Sequence, residues 1–494
     1  MSEAHTVNST AAKRLTPPPP HSVTGWQQRT LILIVAIMSL LRFVALDETP
    51  AGFYVDEAAG AANILCMATE GVGEAGSRYP LFFPEFPGTG TFFTPTYVYS
   101  GALWTKLFGT SVATLRAHVA FYSVLAIGGV FALASRFIGT TGGLFAALAG
   151  ALSPWAFQFS RIAWDPPLMP GFLIWGLVFL FRRGLGSAAL SAILMGAAMY
   201  TYPTARLQVP LLLPLLFLFW WSETSSNGQT RRDRVMFLAV HLATLTLTIT
   251  PLVLSTLNGT LQGRFNSISI FNHEWLQSSF GDDSFTTILR AFGHHIVLHL
   301  SPRFLLTHGD QNLRHGTGMF GVFSWVDGLA IVVAMTLLLT RRISLRPASS
   351  EGRLALLALS GFLSGIAVSS LTWEGIPHAL RSIGSWPFLS LLTGVVLWRG
   401  AAISRALPYI TIGIALAFSV AFANVYFRTY GPASAGSFDA VVKEAAEASL
   451  SSGDEKGLDG YGAFYPKQAM RYYLMHYRGL TCSESATYAA GLKK

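Results

Sequence analysis

Long apolar runs alternate with short polar breaks along most of the chain. The first covers about residues 30–46, and others follow near 115–136, 141–158, 167–182, 187–201, 207–222, 235–256, 319–340, 353–371, 382–398 and 406–423. A helix crosses a bilayer with about 17–25 residues. Most of these runs reach that length, and the shorter ones extend into the interface. The pattern predicts an all-α polytopic membrane protein with about 11 transmembrane helices. The run 96–110, containing Trp104 and Lys106, is short and is broken at Gly109, so it reads as a helix lying in the interface. The first run has no small-residue cleavage site after it and reads as an uncleaved helix.

The polar breaks sort by charge. One set holds Lys13, Arg14 and Arg29; Arg136; Arg182 and Arg183; Arg231, Arg232 and Arg234; Arg341, Arg342, Arg346 and Arg353; and Arg399 and Arg405, with few acids among them. Basic loops stay on the cytoplasmic side. The N-terminus is therefore expected inside and the C-terminus outside. Residues 1–28, with the run Pro17 to Pro20, are expected to be a disordered cytoplasmic tail, and 29–425 a transmembrane domain. The long outer loops are 47–114, with interfacial helices, and 257–318. Residues 426–494 form a small extracytoplasmic region, with helices expected at Ser437–Leu450 and Pro466–Tyr477.

Composition supports this reading. Charged residues make up 12% of the 494, half the roughly 25% of a soluble domain, and the mean hydropathy is +0.46. The net charge of +9 lies in short loops between apolar runs, which suits membrane lipid headgroups and argues against nucleic acid. Cys66 and Cys482 are too few for a metal set. Both are expected outside, where pairing is open to them; the plainer expectation is two thiols.

Most chemistry-bearing side chains fall on the outer loops. Asp56-Glu57 follows the first run, in a segment expected to be extended, with the two carboxylates on opposite sides. The next outer loop holds Arg161 and Asp165, for which a mutual salt bridge competes with Asp165 beside Asp56 and Arg161 facing phosphate. Tyr202 and Arg206 share another loop; guanidinium suits phosphate, although Arg206 also fits as a snorkelling residue. The segment 294–315 carries five histidines, with Arg303 and Asp310. His295 and His299 share a helix face, but no carboxylate or cysteine completes a zinc set at familiar spacing. Hydrogen bonding is the expected use. Pro377 is expected to open a helix whose N-terminus, with His378 and Arg381, faces an anion. Within the apolar runs the ionisable residues are few, among them Arg42, His241 and Asp327.

Several of these stretches together resemble a known family. They are Asp56-Glu57 after the first helix, Leu107-Phe108-Gly109-Thr110-Ser111 leading to Leu115-Arg116, Leu152-Ser153-Pro154-Trp155 with Phe159-Ser160-Arg161 and Asp165, Ser301-Pro302-Arg303-Phe304-Leu305 with Gly309-Asp310, and Pro377-His378-Ala379-Leu380-Arg381. The chain resembles the family 39 glycosyltransferases of the membrane-embedded C-type (GT-C) superfamily, related to protein O-mannosyltransferases and lipid A aminoarabinose transferases. The resemblance covers about residues 30–425. It departs at Thr94-Pro95, where relatives carry a histidine and two prolines, and in the short C-terminal region.

The resemblance implies a polyprenyl-phosphate sugar donor and a lipid, protein or glycan acceptor, with transfer on the outer face of a prokaryotic plasma membrane. Asp56 would act as general base with inversion at the sugar carbon, and Glu57 and Asp165 would orient or tune it. Arg206, His378 and Arg381 would hold the phosphate, with Arg161, Tyr202 and Arg303 as further substrate contacts. No cofactor is required, and a divalent metal is possible without being indicated. A flippase for lipid-linked sugars, and a polymerase or ligase using a diphosphate-linked donor, remain as alternatives. A flippase needs polar groups along a path through the bilayer, and those are scarce here.

Overall fold

The computed structural model describes residues 23–86, 91–226, 228–259, 263–340, 342, 349–452 and 467–491. The proline run 17–20, Lys13, Arg14, Arg341, Arg346 and Pro466 lie outside them. Among the described residues five helices are long and apolar enough to cross a membrane: Val112–Leu152, Ala205–Ser225, Arg231–Leu257, Ser350–Ser369 and Leu407–Ala433. Pro166–Leu180, Leu185–Thr201 and Trp325–Leu339 are apolar but shorter. Gly25–Leu40 and Trp386–Ala401 have 16 residues each. The one sheet among the described residues pairs Phe83–Pro84 with Phe92–Phe93.

The expected run 115–136 and most of 141–158 lie on the stretch Val112–Leu152, which is broken at Ile138 and Gly139, while residues 154–158 belong to the separate short helix Pro154–Phe159. Gly139 has φ +75°, a conformation glycine adopts without Cβ strain. The chain folds back there, since a Cβ on Gly143 would meet Ser135 and the Phe131 carbonyl. Large apolar side chains on the outermost helices, such as Leu247, Leu339 and Val420, are mostly exposed, as expected of a surface that faces lipid rather than water.

Two of the intramembrane ionisable residues, Arg42 and Asp327, have local partners. Arg42 donates to the carbonyls of Met38, Gly150 and Ala151, so it satisfies carbonyls that the helix end at Leu152 leaves without partners. Asp327 accepts from Ser324 and Thr393. Neither outlines a polar path through the helices.

Loops at one end of the bundle meet one another. Ser269 bridges to Thr372, Tyr97 donates to the Ala163 carbonyl, and Gln158 donates to the carbonyls of Leu313 and Arg314. Basic loops meet at the other end, where Arg353 pairs with Glu223 and Arg399 with Glu351.

The C-terminal region is part of this architecture. Helix Leu407–Asn424 continues through the wider turn Val425–Tyr430, so residue 425 lies inside a continuous helical stretch. Helices Ala440–Ser452 and Lys467–Arg478 share an apolar core with Val55–Glu70 and Pro95–Phe108, built from residues such as Ile64, Tyr97, Val98, Leu450, Met470 and Leu474. Gly52 shows how close this packing is: at φ +85°, a Cβ there would lie 2.2 Å from the Phe438 carbonyl oxygen. Asp439 accepts from the Val55 amide at 3.0 Å, one of the donors that open helix Val55–Glu70 leaves unpaired. Cys66 and Cys482, expected as thiols, form a disulfide across a separation of 416 residues. Arg471 lies beside it, paired with Glu74 at 3.1 Å and donating to the Cys482 carbonyl.

Because this bond closes so long a loop, reduction should release the C-terminal helices before the bundle melts. We expect Cys66→Ala with Cys482→Ala to destabilise this end by about 2–4 kcal/mol. Limited proteolysis and thermal unfolding in detergent would then show earlier cleavage after residue 452 than in the oxidised protein.

Candidate active site

The segment after the first helix is held by buried arginines. Arg161 donates to five backbone carbonyls, those of Leu41, Arg42, Val44, Ala45 and Thr49. Its guanidinium also stands over Tyr426 and Phe427. The expected phosphate contact at Arg161 is therefore corrected: burial and these carbonyls make it a clamp on residues 41–49. No ion pair with Asp165 forms either.

Arg116 uses all five of its donors in the same way. Nε and one Nη make the two-pronged pair with Glu57, and the rest reach the carbonyls of Leu46, Pro50 and Gly52. Glu57 also accepts from the amides of Tyr54 and Ala163 at 3.1 and 2.8 Å, and both side chains of the pair are fully buried. Asp56-Glu57 is not extended: both lie in the first turn of helix Val55–Glu70, with Glu57 closing its capping box. Glu57 is also structural, since each of its oxygens already accepts two donors, while its charge still helps raise Asp56.

Asp56, one position earlier, remains half-buried and partly accessible. Its neighbours by charge are Glu85, Asp165 and Arg314. Burial first, then Glu85, push its carboxyl well above the usual range, while Arg314 works against the shift. Asp165 shares this environment: burial and Glu85 raise it to about 8, against hydrogen bonding from Thr94 and the charge of Arg206. Thr94 stands where the resemblance leads one to look for a histidine, and it holds the position before helix Pro95–Phe108 without a side-chain capping bond. The structure thus groups Asp56, Glu85 and Asp165 with Arg206 and Arg314. Arg314 lies over the Tyr54 ring at 4.2 Å, and Tyr54 meets Trp164 edge-on at 5.6 Å.

The other expected contacts lie elsewhere. Tyr202 ends helix Leu185–Thr201, half-buried beside the main core. Arg303 is exposed at the start of the turn Arg303–Thr307. Pro377 opens no helix; the next one is Trp386–Ala401, preceded by the turn Ile383–Ser385. The helix-terminus argument for His378 and Arg381 therefore falls. Arg381 is held by Glu374 at 2.9 Å and by Thr372. His378 lies 4.0 Å from Asp310, with His315 at 3.1 Å from the same carboxylate oxygen. His295 and His299 bond to backbone and to Ser369, as hydrogen-bonding residues are expected to. In the sequence Glu85 and Arg314 are only two more charges on the long outer segments 47–114 and 257–318. Nothing in their spacing joined them to Asp56.

Fold and site together define a helical integral membrane protein with a group of interacting carboxylates at one end. No family model and no curated protein matches the chain. Its fold is similar to that of ArnT from Cupriavidus metallidurans bound to undecaprenyl phosphate, with TM-score 0.50 and 19% identity over 95% of this chain and 78% of that one. Archaeal oligosaccharyltransferase AglB from Archaeoglobus fulgidus, solved with an inhibitory peptide and a dolichol-phosphate, gives TM-score 0.47 and 14% identity, over 89% of this chain and 59% of that one.

Breaking a buried ion pair from one side leaves an uncompensated charge, at a cost of about 3–5 kcal/mol. Arg116→Met and Glu57→Gln should therefore lose thermal stability on that scale in detergent. Asp56→Asn should stay within about 1 kcal/mol of the parent, as expected where no buried pair is broken. Equal loss in all three would refute the division between clamp and site.

Proposed function

We propose that the chain is a glycosyltransferase that moves a sugar from a polyprenyl-phosphate donor to a lipid, protein or glycan acceptor at the outer face of a prokaryotic plasma membrane. The observation that carries this reading is the partly accessible Asp56, raised by burial and by Glu85 and Asp165, with Arg206 beside Asp165. The fold supports it, since the ArnT structure it resembles holds undecaprenyl phosphate.

An amphipathic donor reaches such a site from the bilayer side with its phosphate at the polar boundary. The acceptor hydroxyl or amine attacks the anomeric carbon from the face opposite the phosphate. The bond from that carbon to the phosphate oxygen breaks, and its electron pair leaves with the polyprenyl phosphate. The acceptor proton goes to the Asp56 carboxylate. One displacement inverts the sugar carbon. Arg206 is the cation that would meet the phosphate, and Arg314 works against the rise at Asp56. A carboxyl raised by burial and by like charges is a stronger base than an exposed one, which is what deprotonating a hydroxyl needs. No step calls for a metal.

With labelled polyprenyl-phosphate sugars and purified protein, Asp56→Asn should lower transfer by about 10²–10⁴-fold, the usual worth of a general base, with the fold intact. Normal turnover in that variant would sink the assignment. Transport of the labelled lipid across proteoliposomes without a new glycosidic bond would favour the flippase instead.

The base works ionised and its carboxyl is raised, so kcat/KM should rise with pH along a limb displaced above the usual carboxylate range and then level. Asp165→Asn removes a like charge and should move that limb to lower pH. Arg314→Gln removes a counter-charge and should move it to higher pH. Shifts in the same direction would contradict the electrostatic arrangement.

A further inference from the structure

A second group of side chains adjoins the carboxylate site, with the His315 ring 6.0 Å from Trp164. Asp310, His315 and His378 are all buried, and each offers a ligand atom within 4.8 Å of the others. His315 Nδ1 is 3.1 Å and His378 Nδ1 is 4.0 Å from the same Asp310 oxygen. The two imidazole rings are 4.5 Å apart and tilted by 33°. Zinc holds such atoms at about 2.0–2.1 Å, so tetrahedral ligands stand about 3.3–3.4 Å apart. The observed distances bracket that spacing. From these residues we propose that Asp310, His315 and His378 bind one divalent transition metal of the zinc class, leaving a position open for water or an oxyanion.

The surroundings fit a built site. Asp310 is aimed by two backbone donors, the Asn312 amide to one oxygen and the Ala379 amide to the other, both at 2.9 Å. The His378 amide donates to His299 at 3.1 Å. Short helix Pro154–Phe159 fixes both loops: Trp155 donates to the Ala379 carbonyl, and Gln158 to the Leu313 and Arg314 carbonyls. The ligands are thus placed by packing and by a surrounding shell of hydrogen bonds, which metal sites need to hold their geometry. Nearby cations do not fill the place. Arg381 is paired with Glu374, and Arg314 lies over Tyr54. One carboxylate and two neutral imidazoles suit zinc, and they also suit iron(II) or manganese. These three side chains point to a metal whether or not the transfer reaction proposed above takes place.

The test uses the full chain in detergent, stripped with a chelator and then exposed to zinc or cobalt(II) alone. Elemental analysis after gel filtration should find one metal per chain, and the cobalt form should show visible bands of tetrahedral intensity. Asp310→Asn and His315→Ala should each weaken zinc binding by at least about 100-fold, since losing a supporting shell alone costs 10–100-fold. His294→Ala and His308→Ala, at exposed histidines, should bind as the parent does. If the ligand variants fail to fold, the parent still answers: bound zinc should shield His315 and His378, but not His294, from diethyl pyrocarbonate as read by mass spectrometry. Substoichiometric metal in the parent, unshielded His315, or loss of metal in the exposed-histidine variants would overturn the site.

Discussion

The polar end of this protein depends on one buried ion pair. Glu57 and Arg116 carry opposite charges out of water, which is costly unless every donor and acceptor is matched. Here they are. Arg116 spends its five donors on Glu57 and three carbonyls, and Glu57 fills its remaining places with two amides. One of those amides is Ala163, two positions before Asp165; the Glu57 side chain starts one position after Asp56. The pair thus fixes the two segments that carry Asp56 and Asp165. A hydrophobic pair in the same space could fill the volume, but it could not set the register of three backbone segments.

Arg161 and Arg42 extend the same device. Segment 41–52 is too short and irregular to satisfy its own carbonyls, and buried carbonyls without donors are costly. Guanidinium groups supply donors in several directions from one side chain, and three of them serve this stretch and the helix end at Leu152. Placing the cations there removes them from the pool available to a phosphate. Arg206, half-buried beside Asp165, stays in that pool.

Much of the fold was legible because spanning helices announce themselves as apolar runs. The break between the runs ending at 136 and starting at 141 was visible too, and Gly139 is its physical cause. What spacing could not supply was pairing across distance. Cys66 and Cys482 lie far apart in sequence and meet because helix Lys467–Arg478 completes the core of Val55–Glu70. The adjacent carboxylates of Asp56-Glu57 looked alike in sequence. Only their helical phase separates them, turning Glu57 inward to Arg116 and leaving Asp56 half-buried. Pro377 misled for a similar local reason, since proline opens helices but also shapes turns, and here the helix waits until Trp386.

Local matches also hid the chemistry of the histidines. His295 and His299 have helix-face spacing that suggests a metal, yet their ring nitrogens are spent on backbone carbonyls, an amide and serine hydroxyls. His315 sits five residues from Asp310 on an irregular loop, and His378 comes from a different loop altogether. Ligands gathered from separate loops leave no spacing signature; they depend on what holds the loops. At this end that is the short helix Pro154–Phe159, whose Trp155 and Gln158 reach both of them. It directly precedes Arg161 and the Asp165 loop. The carboxylate group and the histidine group are therefore anchored to one piece of backbone, and a change that shifts that helix should disturb both together.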